Sequence, residues 1–340
     1  MESAEMSELP ELVQALLDPQ VYPEPPPRVE LVQTQISYVF LAGDFVYKIK
    51  KPVDMGFLDY TTLEKRLALC RKEVELNRRL CTDTYLGVTP VTKENGRYKV
   101  GGEGEAEEYA VHMRRLPQDA MMDSLLRRNK VTPAMVARVA AVLVDFHRTA
   151  ATSREIASIG GLDAVIQNTS ENFTQTDRFF GSIIVPETFR RIKAYTGDFI
   201  KDNRDLFLKR MAEGRVRDCH GDLHAAHVCF INGICIYDCI EFIDRLRYTD
   251  VAADIAFLAM DLDHYGRREL SDAFIKAYIE QSGDSEILTL LNFYKCYRAY
   301  VRGKIGCLQY DDKYISAGEK EQIAANARSY FALALSYTGG

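Results

Sequence analysis

The run Cys219-His220-Gly221-Asp222-Leu223-His224-Ala225-Ala226-His227-Val228-Cys229-Phe230-Ile231-Asn232-Gly233-Ile234-Cys235-Ile236-Tyr237-Asp238 decides how the whole chain is read. Asn-Gly between two apolar runs signals a two-residue hairpin turn, because both residues tolerate the positive φ that a type I′ turn requires. Pairing Ile231 with Ile234 and counting outward sets His227 opposite Asp238. Directly opposed side chains in an antiparallel pair stand about 4.5–5.5 Å apart at Cβ. The pattern therefore predicts an imidazole and a carboxylate side by side at the open end of a hairpin, able to share one cation. Asp222 sits on the loop just before them.

Outward from this hairpin the chain changes character. Segments 29–41 and 45–50 are rich in β-branched and aromatic residues around the turn Ala42-Gly43-Asp44, which predicts a β-hairpin. A charged helix is expected over 61–80. Strands follow at 87–92 and 96–100 around Glu94-Asn95-Gly96, and another at 108–115, ended by Leu116-Pro117. Beyond Pro117 the pattern is helical. Thr132-Pro133 is a helix start, a hydroxyl cap followed by proline at the first position. Val136, Val139, Ala140, Leu143 and Phe146 supply the apolar stripe of that helix. Helical periodicity recurs over 186–211, 250–262, 269–281, 287–308 and 319–337, whereas 218–242 reads as strand-like and dense in His, Asp and Glu. At the start, 7–17 is helical in pattern and leads to the stiff spacer Pro23-Glu24-Pro25-Pro26-Pro27. The expected organisation is 1–28 as helix and linker, 29–116 as a small antiparallel-sheet lobe, and 117–340 as a larger, mostly helical lobe.

Composition narrows the function. A net charge of −6 with scattered basic residues argues against a nucleic-acid-coating surface. No apolar stretch approaches the roughly 20 residues a membrane span needs, and the acidic opening MESAEMSELPELVQALL lacks a signal peptide's basic start. Eight cysteines without a C-x-x-C pair do not form a disulfide scaffold or a zinc motif. They are read as reduced, mostly buried thiols in a cytoplasmic protein.

The pattern H-x-D, a further ligand five residues on, then a hairpin ending in Asp, resembles the catalytic core of the aminoglycoside phosphotransferase and choline kinase family, which shares the protein-kinase fold. The resemblance spans roughly 29–306 and implies an α+β, two-lobed protein-kinase-like fold and an ATP-dependent phosphotransferase acting on a hydroxyl. It implies Asp222 as the residue that orients or deprotonates the acceptor hydroxyl, with His220 and Gly221 shaping its loop. Asp238 and His227 become candidate metal ligands, with Glu241 as a second-metal or supporting carboxylate. Phe45-Val46-Tyr47-Lys48 resembles the strand whose lysine meets the nucleotide phosphates, Glu73 is that lysine's carboxylate partner, and Lys50 on the same face is its rival. Backbone around His112-Met113-Arg114 would meet adenine, and Thr34, Gln35 and Ser37 are candidates beside the phosphates. Asp250 and Asp254 are expected to brace the loop. Arg298 and Arg302, one helical turn apart, offer a basic face for an anionic acceptor. ATP and a divalent metal (Mg or Mn) are the implied cofactors, and a small-molecule acceptor the implied partner. The likeness is greatest to a bacterial branch sometimes fused to a P-loop domain; no G-x-x-x-x-G-K-[ST] occurs here, so the stand-alone form is expected.

Two departures open alternatives. The residue five beyond the loop Asp is usually Asn, and imidazole suits softer ions than magnesium. The first strands also lack a glycine-rich phosphate loop. A nucleotide-binding pseudokinase keeps the fold without turnover. A metal-dependent hydrolase using His220, Asp222, His224 and His227 as ligands is the more distant rival.

Overall fold

The computed structural model describes residues 9–56, 58–311 and 315–339. They form two compact units: 9–120 with 229–243, and 121–228 with 244–339. Segment 229–243, counted above with the helical lobe, thus belongs with the sheet.

The first unit holds a six-stranded antiparallel sheet in the order β1-β2-β3-β6-β4-β5. Its strands are β1 (Val29–Gln33), β2 (Ser37–Ala42), β3 (Phe45–Lys50), β4 (Tyr85–Glu94), β5 (Arg97–Val100) and β6 (Ala106–Arg114). The run 29–41, read as one strand, is two: the Thr34 hydroxyl accepts hydrogen bonds from the amides of Ile36 and Ser37 and closes a turn there. Ala42 pairs with Phe45, so Gly43-Asp44 is the next turn, with Gly43 at φ 63°. Asn95 (φ 49°) and Gly96 (φ 77°) turn β4 into β5, the left-handed pair that a tight hairpin demands.

Strand alternation divides the unit into two chemistries. Phe40, Ala42, Tyr47, Ile49, Val91, Val100 and Ala110 bury one face of the sheet, covered by Val13 of helix α1 (Glu11–Ala15), by Leu16 that caps its end, and by Tyr22. Full burial of side chains like these contributes about 1.5–3 kcal/mol each. Residues 7 and 8 of the expected N-terminal helix lie outside the described residues. On the opposite face of β3 stand Lys48 and Lys50, beside helix α2 (Leu63–Asn77). Thr62 caps α2 through a bond from the Lys65 amide. Segment 229–243 carries the turn and second strand of a short hairpin between Val228–Cys229 and Cys235–Ile236, with positive φ at Asn232 and Gly233. Between Asp218, which ends a short strand, and residue 242 the remainder is loop, with one 3-10 turn at Ala225–His227. One cysteine pair departs from the all-thiol expectation: Cys81, just past α2, is disulfide-bonded to Cys235 of the hairpin. The other six cysteines are outside any disulfide and are buried.

The second unit is helical: α3 (Met122–Arg127), α4 (Pro133–Thr149), α5 (Arg154–Gly160), α6 (Leu162–Thr176), α7 (Pro186–Asp202), α8 (Arg204–Ala212), α9 (Asp244–Arg247), α10 (Val251–His264), α11 (Arg268–Ser282), α12 (Ile287–Tyr310) and α13 (Ala317–Ser336). The run 186–211, expected as one helix, is two, α7 and α8. Helix α10 is buried on every side from Val251 to Leu262, the signature of a central core helix. Phe257 and Met260 from it pack with Phe173, Tyr300 and Phe331. Close approach of α12 to α13 depends on Gly303, where a Cβ would lie 2.8 Å from the Phe331 ring. Short strands Val216–Asp218 and Tyr248–Asp250 pair antiparallel and bracket the polar loop.

Candidate functional site

In the first unit, one strand face and one helix assemble a buried ionic cluster. Lys48 Nζ donates to Glu73 Oε1 at 2.9 Å and to Asp238 Oδ1 at 2.8 Å. Lys50 Nζ donates to Glu73 Oε2 at 2.7 Å, to Tyr60 OH at 3.3 Å, and to Glu241. Tyr60 OH donates to the same Glu241 oxygen at 2.8 Å. The two lysines thus divide one glutamate between them and each reaches a different acid of segment 229–243.

Exposure separates the two lysines. The Lys48 side chain is 16% exposed and that of its partner Asp238 40%, whereas Lys50 is 1% exposed. Burial alone would lower both amines' pKa values, but the surrounding carboxylates raise them well above the ordinary lysine value. Burial would likewise raise Glu73, yet Lys48 and Lys50 hold it below the usual glutamate value. Helix α2 also fixes the backbone that carries Asp238. Asn77 Oδ1 accepts from the Cys239 amide at 2.9 Å, and the Tyr85 hydroxyl accepts from the Asp238 amide at 3.3 Å. Asp238 adopts φ 62°, left-handed for a non-glycine residue.

The remaining first-unit candidates separate. Glu241, expected at a metal, is 4% exposed and engaged by Lys50 and Tyr60. Ser37 is fully buried opposite Lys50, its hydroxyl without a hydrogen-bond partner among the described residues. Met113 is 8% exposed and pairs with Val46. Arg114 is exposed, and its amide donates to Thr84 O at 2.8 Å.

In the second unit, Asp222 sits on a loop held by buried side chains. Asp254 Oδ2 accepts the His220 amide at 3.0 Å and Oδ1 the Gly221 amide at 2.9 Å. Asp261 accepts the Ala225 amide at 2.9 Å. Both acids project from the buried helix α10, so the core itself grips the loop. His147 Nε2 lies 3.1 Å from Asp254 and its Nδ1 lies 2.8 Å from Tyr278 OH, a support that no local sequence motif signals. Against the rise that burial causes, His147 and His220 keep Asp254 well below the usual carboxylate range. Gly221 takes φ 84°, which a side chain would strain. His220 is fully buried and its Nδ1 accepts the Asp222 amide at 3.3 Å.

Two expectations change here. Asp250 does not brace the loop: it caps α10 through the Ala252 amide and forms a bidentate pair with Arg210. Arg298 presents no basic surface. It is 4% exposed, with Nη1 donating to Gly221 O at 3.0 Å and Nε to Ala253 O at 3.2 Å. Arg302 is half-buried over the Tyr330 ring, and its Nε has no hydrogen-bond partner among the described residues.

Around Asp222 itself are two imidazoles. His224 Nε2 and His227 Nδ1 each lie 3.6 Å from Asp222 Oδ2, and His227 Nδ1 lies 2.8 Å from the Asp222 carbonyl oxygen. Burial pushes the Asp222 carboxyl up, but His224, His227 and Arg302 outweigh it and hold the group far below the usual carboxylate range. Asp222 is therefore a carboxylate at neutral pH. His227 belongs to the second unit and Asp238 to the first.

A family model described as the phosphotransferase enzyme family matches residues 96–291. Uncharacterised proteins of Mycobacterium tuberculosis and Mycobacterium bovis are 35% identical over 303 residues, 89% of this chain and 58% of theirs. The chain thus spans little more than half the length of these relatives. Among solved structures, a candidate aminoglycoside phosphotransferase from Ralstonia eutropha JMP134 superposes with a TM-score of 0.53 at 14% identity, covering 92% of each chain. Amicoumacin kinase hAmiN, in complex with AMP-PNP, Ca2+ and Ami, superposes at 0.52 with 13% identity over 98% of this chain and 96% of that one. The fold is the α+β, two-lobed protein-kinase-like one expected from the sequence. Among the described residues no helix is long and apolar enough to cross a membrane.

Proposed function

The chain belongs to the phosphotransferase enzyme family, and from that premise we propose that it transfers the γ-phosphoryl group of ATP to a hydroxyl of a small-molecule acceptor. The observation that carries this reading is Lys48 Nζ held at once by Glu73 (2.9 Å) and Asp238 (2.8 Å). An ammonium fixed on a rigid strand, yet still reached by solvent, suits the nucleotide phosphates better than the fully enclosed Lys50. Asp222 receives the acceptor hydroxyl's proton or orients that hydroxyl, and its low pKa keeps it ready as an acceptor at neutral pH. Because transfer passes through a loose transition state, positioning and charge neutralisation matter more than basicity. His220 shapes the loop by taking the Asp222 amide.

The half-exposed Asp238 carboxylate fits a divalent cation as a hard oxygen donor. A bound cation there supplies charge neutralisation of the phosphates. Met113 and Arg114 backbone is the proposed contact for adenine, and Arg302 the surviving basic residue for an anionic acceptor. The cytoplasm is the proposed location.

Thermal unfolding with ATP and either Mg2+ or Mn2+ tests the nucleotide half: an upward shift in the wild type that Asp238→Ala abolishes is expected. ADP release tests the other half, with Asp222→Asn falling at least about a hundredfold while the nucleotide-dependent shift persists. Unchanged turnover in Asp222→Asn sinks the assignment. A nucleotide shift in a wild type that never releases ADP moves the pseudokinase reading ahead, which the imidazole at position 227 favours.

A further inference from the structure

The loop Asp222-Leu223-His224-Ala225-Ala226-His227 gathers more nitrogen than an acceptor site needs. One ligand-type atom from each of Asp222, His224 and His227 lies within 4.8 Å of the others. The Nε2 of His224 and the Nδ1 of His227 are both 3.6 Å from Asp222 Oδ2. That separation is too long for a good hydrogen bond. It is close to the edge of a coordination tetrahedron with bonds of about 2.0–2.1 Å. We propose that Asp222, His224 and His227 form a binding site for one divalent ion of the zinc class.

Chemistry and support both favour such an ion. Two imidazoles and one carboxylate match zinc, cobalt or iron rather than magnesium, which prefers an all-oxygen shell. His224 is 6% exposed and His227 only slightly more, so their rings are held rather than floating. The rings pack at 3.9 Å between centroids, and His224 leans on Phe257 of the core helix at 5.5 Å. The loop backbone is anchored by Asp254, Asp261 and Arg298, so the three donors start near their coordinated places. His227 Nδ1 now lies at hydrogen-bond distance from the Asp222 carbonyl. Coordination through that nitrogen requires the ring proton on Nε2 and leaves the carbonyl oxygen beside the ion. The ion would also take the Asp222 carboxylate away from an acceptor hydroxyl. That last consequence, inhibition by zinc, rests on the phosphotransferase reading; the site does not.

Cobalt titration of the full, metal-stripped chain tests the site. Visible d–d absorption saturating at one equivalent and lost on adding Zn2+ is expected, with affinity falling about tenfold or more in His224→Gln and in His227→Asn. Asp238→Asn should leave the spectrum unchanged. An unaltered spectrum in the His224→Gln/His227→Asn double variant, or its loss in Asp238→Asn, overturns the proposal. If the histidine variants fail to fold, diethyl pyrocarbonate labelling of the wild type decides. Zn2+ should protect His224 and His227, and equal labelling with and without Zn2+ refutes the site. A cobalt spectrum in a chain that never turns over ATP would sink the catalytic reading alone; turnover with Mg2+ in a chain that gives no cobalt spectrum would sink this site alone.

Discussion

Replacing Lys50 by Met should destabilise the chain more than replacing Lys48, although Lys48 is the residue proposed to meet the nucleotide. Lys50 is 1% exposed and serves Glu73, which is fully buried, and Glu241, which is 5% exposed. Its loss leaves two buried carboxylates facing one another, with one Lys48 bond and one Tyr60 bond remaining. Removing one partner of a buried charge pair costs about 3–5 kcal/mol. Lys48→Met breaks two bonds as well, but Asp238 is 40% exposed and regains water, so the expected cost is about 1–2 kcal/mol. Urea unfolding followed by far-UV circular dichroism measures both, and hydrogen exchange in β3 and α2 peptides locates the weakened region. The sequence contains no tryptophan, so intrinsic tryptophan fluorescence cannot serve. The pH dependence carries a sign. Lys50 titrates above its unfolded value, so its contribution is lost only as pH rises beyond about 10.5. Glu73 titrates below its unfolded value, so its contribution persists above about 4.5 and is lost in acid. The gap between wild type and Lys50→Met should therefore be flat across neutral pH. A Lys50→Met chain as stable as Lys48→Met would refute the reasoning.

Lys304 should behave as an unusually reactive amine, because burial lowers its pKa to about 8; acylation followed by mass spectrometry across pH should place its midpoint there. Since the unfolded amine titrates near 10.5, the folded chain gains stability as pH rises from about 8 to 10.5, and Lys304→Met should remove that gain. Arg210, fully buried, makes two bonds to Asp250 and two to Asp284; Arg210→Met should cost about 3–5 kcal/mol in urea unfolding. Gly160→Ala should destabilise by more than about 2 kcal/mol, because its Cβ would lie 2.1 Å from the Tyr248 carbonyl oxygen.

Local signals were the legible part of the fold. Period-two alternation alone put Lys48 and Lys50 on one face of β3, and Thr132-Pro133 and Asn95-Gly96 marked a cap and a turn that the structure contains. The split between β1 and β2 was hidden because its cause is one threonine hydroxyl inside a β-favouring run. Residues 218–242 looked like strand because their apolar side chains are buried. Their backbone is satisfied by distant groups: Asp254 lies 34 residues beyond His220 in sequence, and Asn77 lies 162 before Cys239. For the same reason Lys50 was visible as a rival lysine but not as the anchor of Glu241, 191 residues away. Arg298 read as surface charge because helical spacing does not reveal which face the core occupies, and that face touches the Gly221 carbonyl.

The Cys81–Cys235 bridge has a mechanical consequence. It spans a sequence separation of 154, so the intervening chain becomes a closed ring hung from one covalent knot. A chain drawn out by its two ends would then transmit force through the sulfur bridge and leave the ring slack. Roughly 500 Å of contour length, at about 3.3–3.6 Å per residue, would stay hidden from the pull until a thiol reductant opened the knot. A protease cut anywhere inside the ring would likewise leave one particle, separable into two pieces only after reduction.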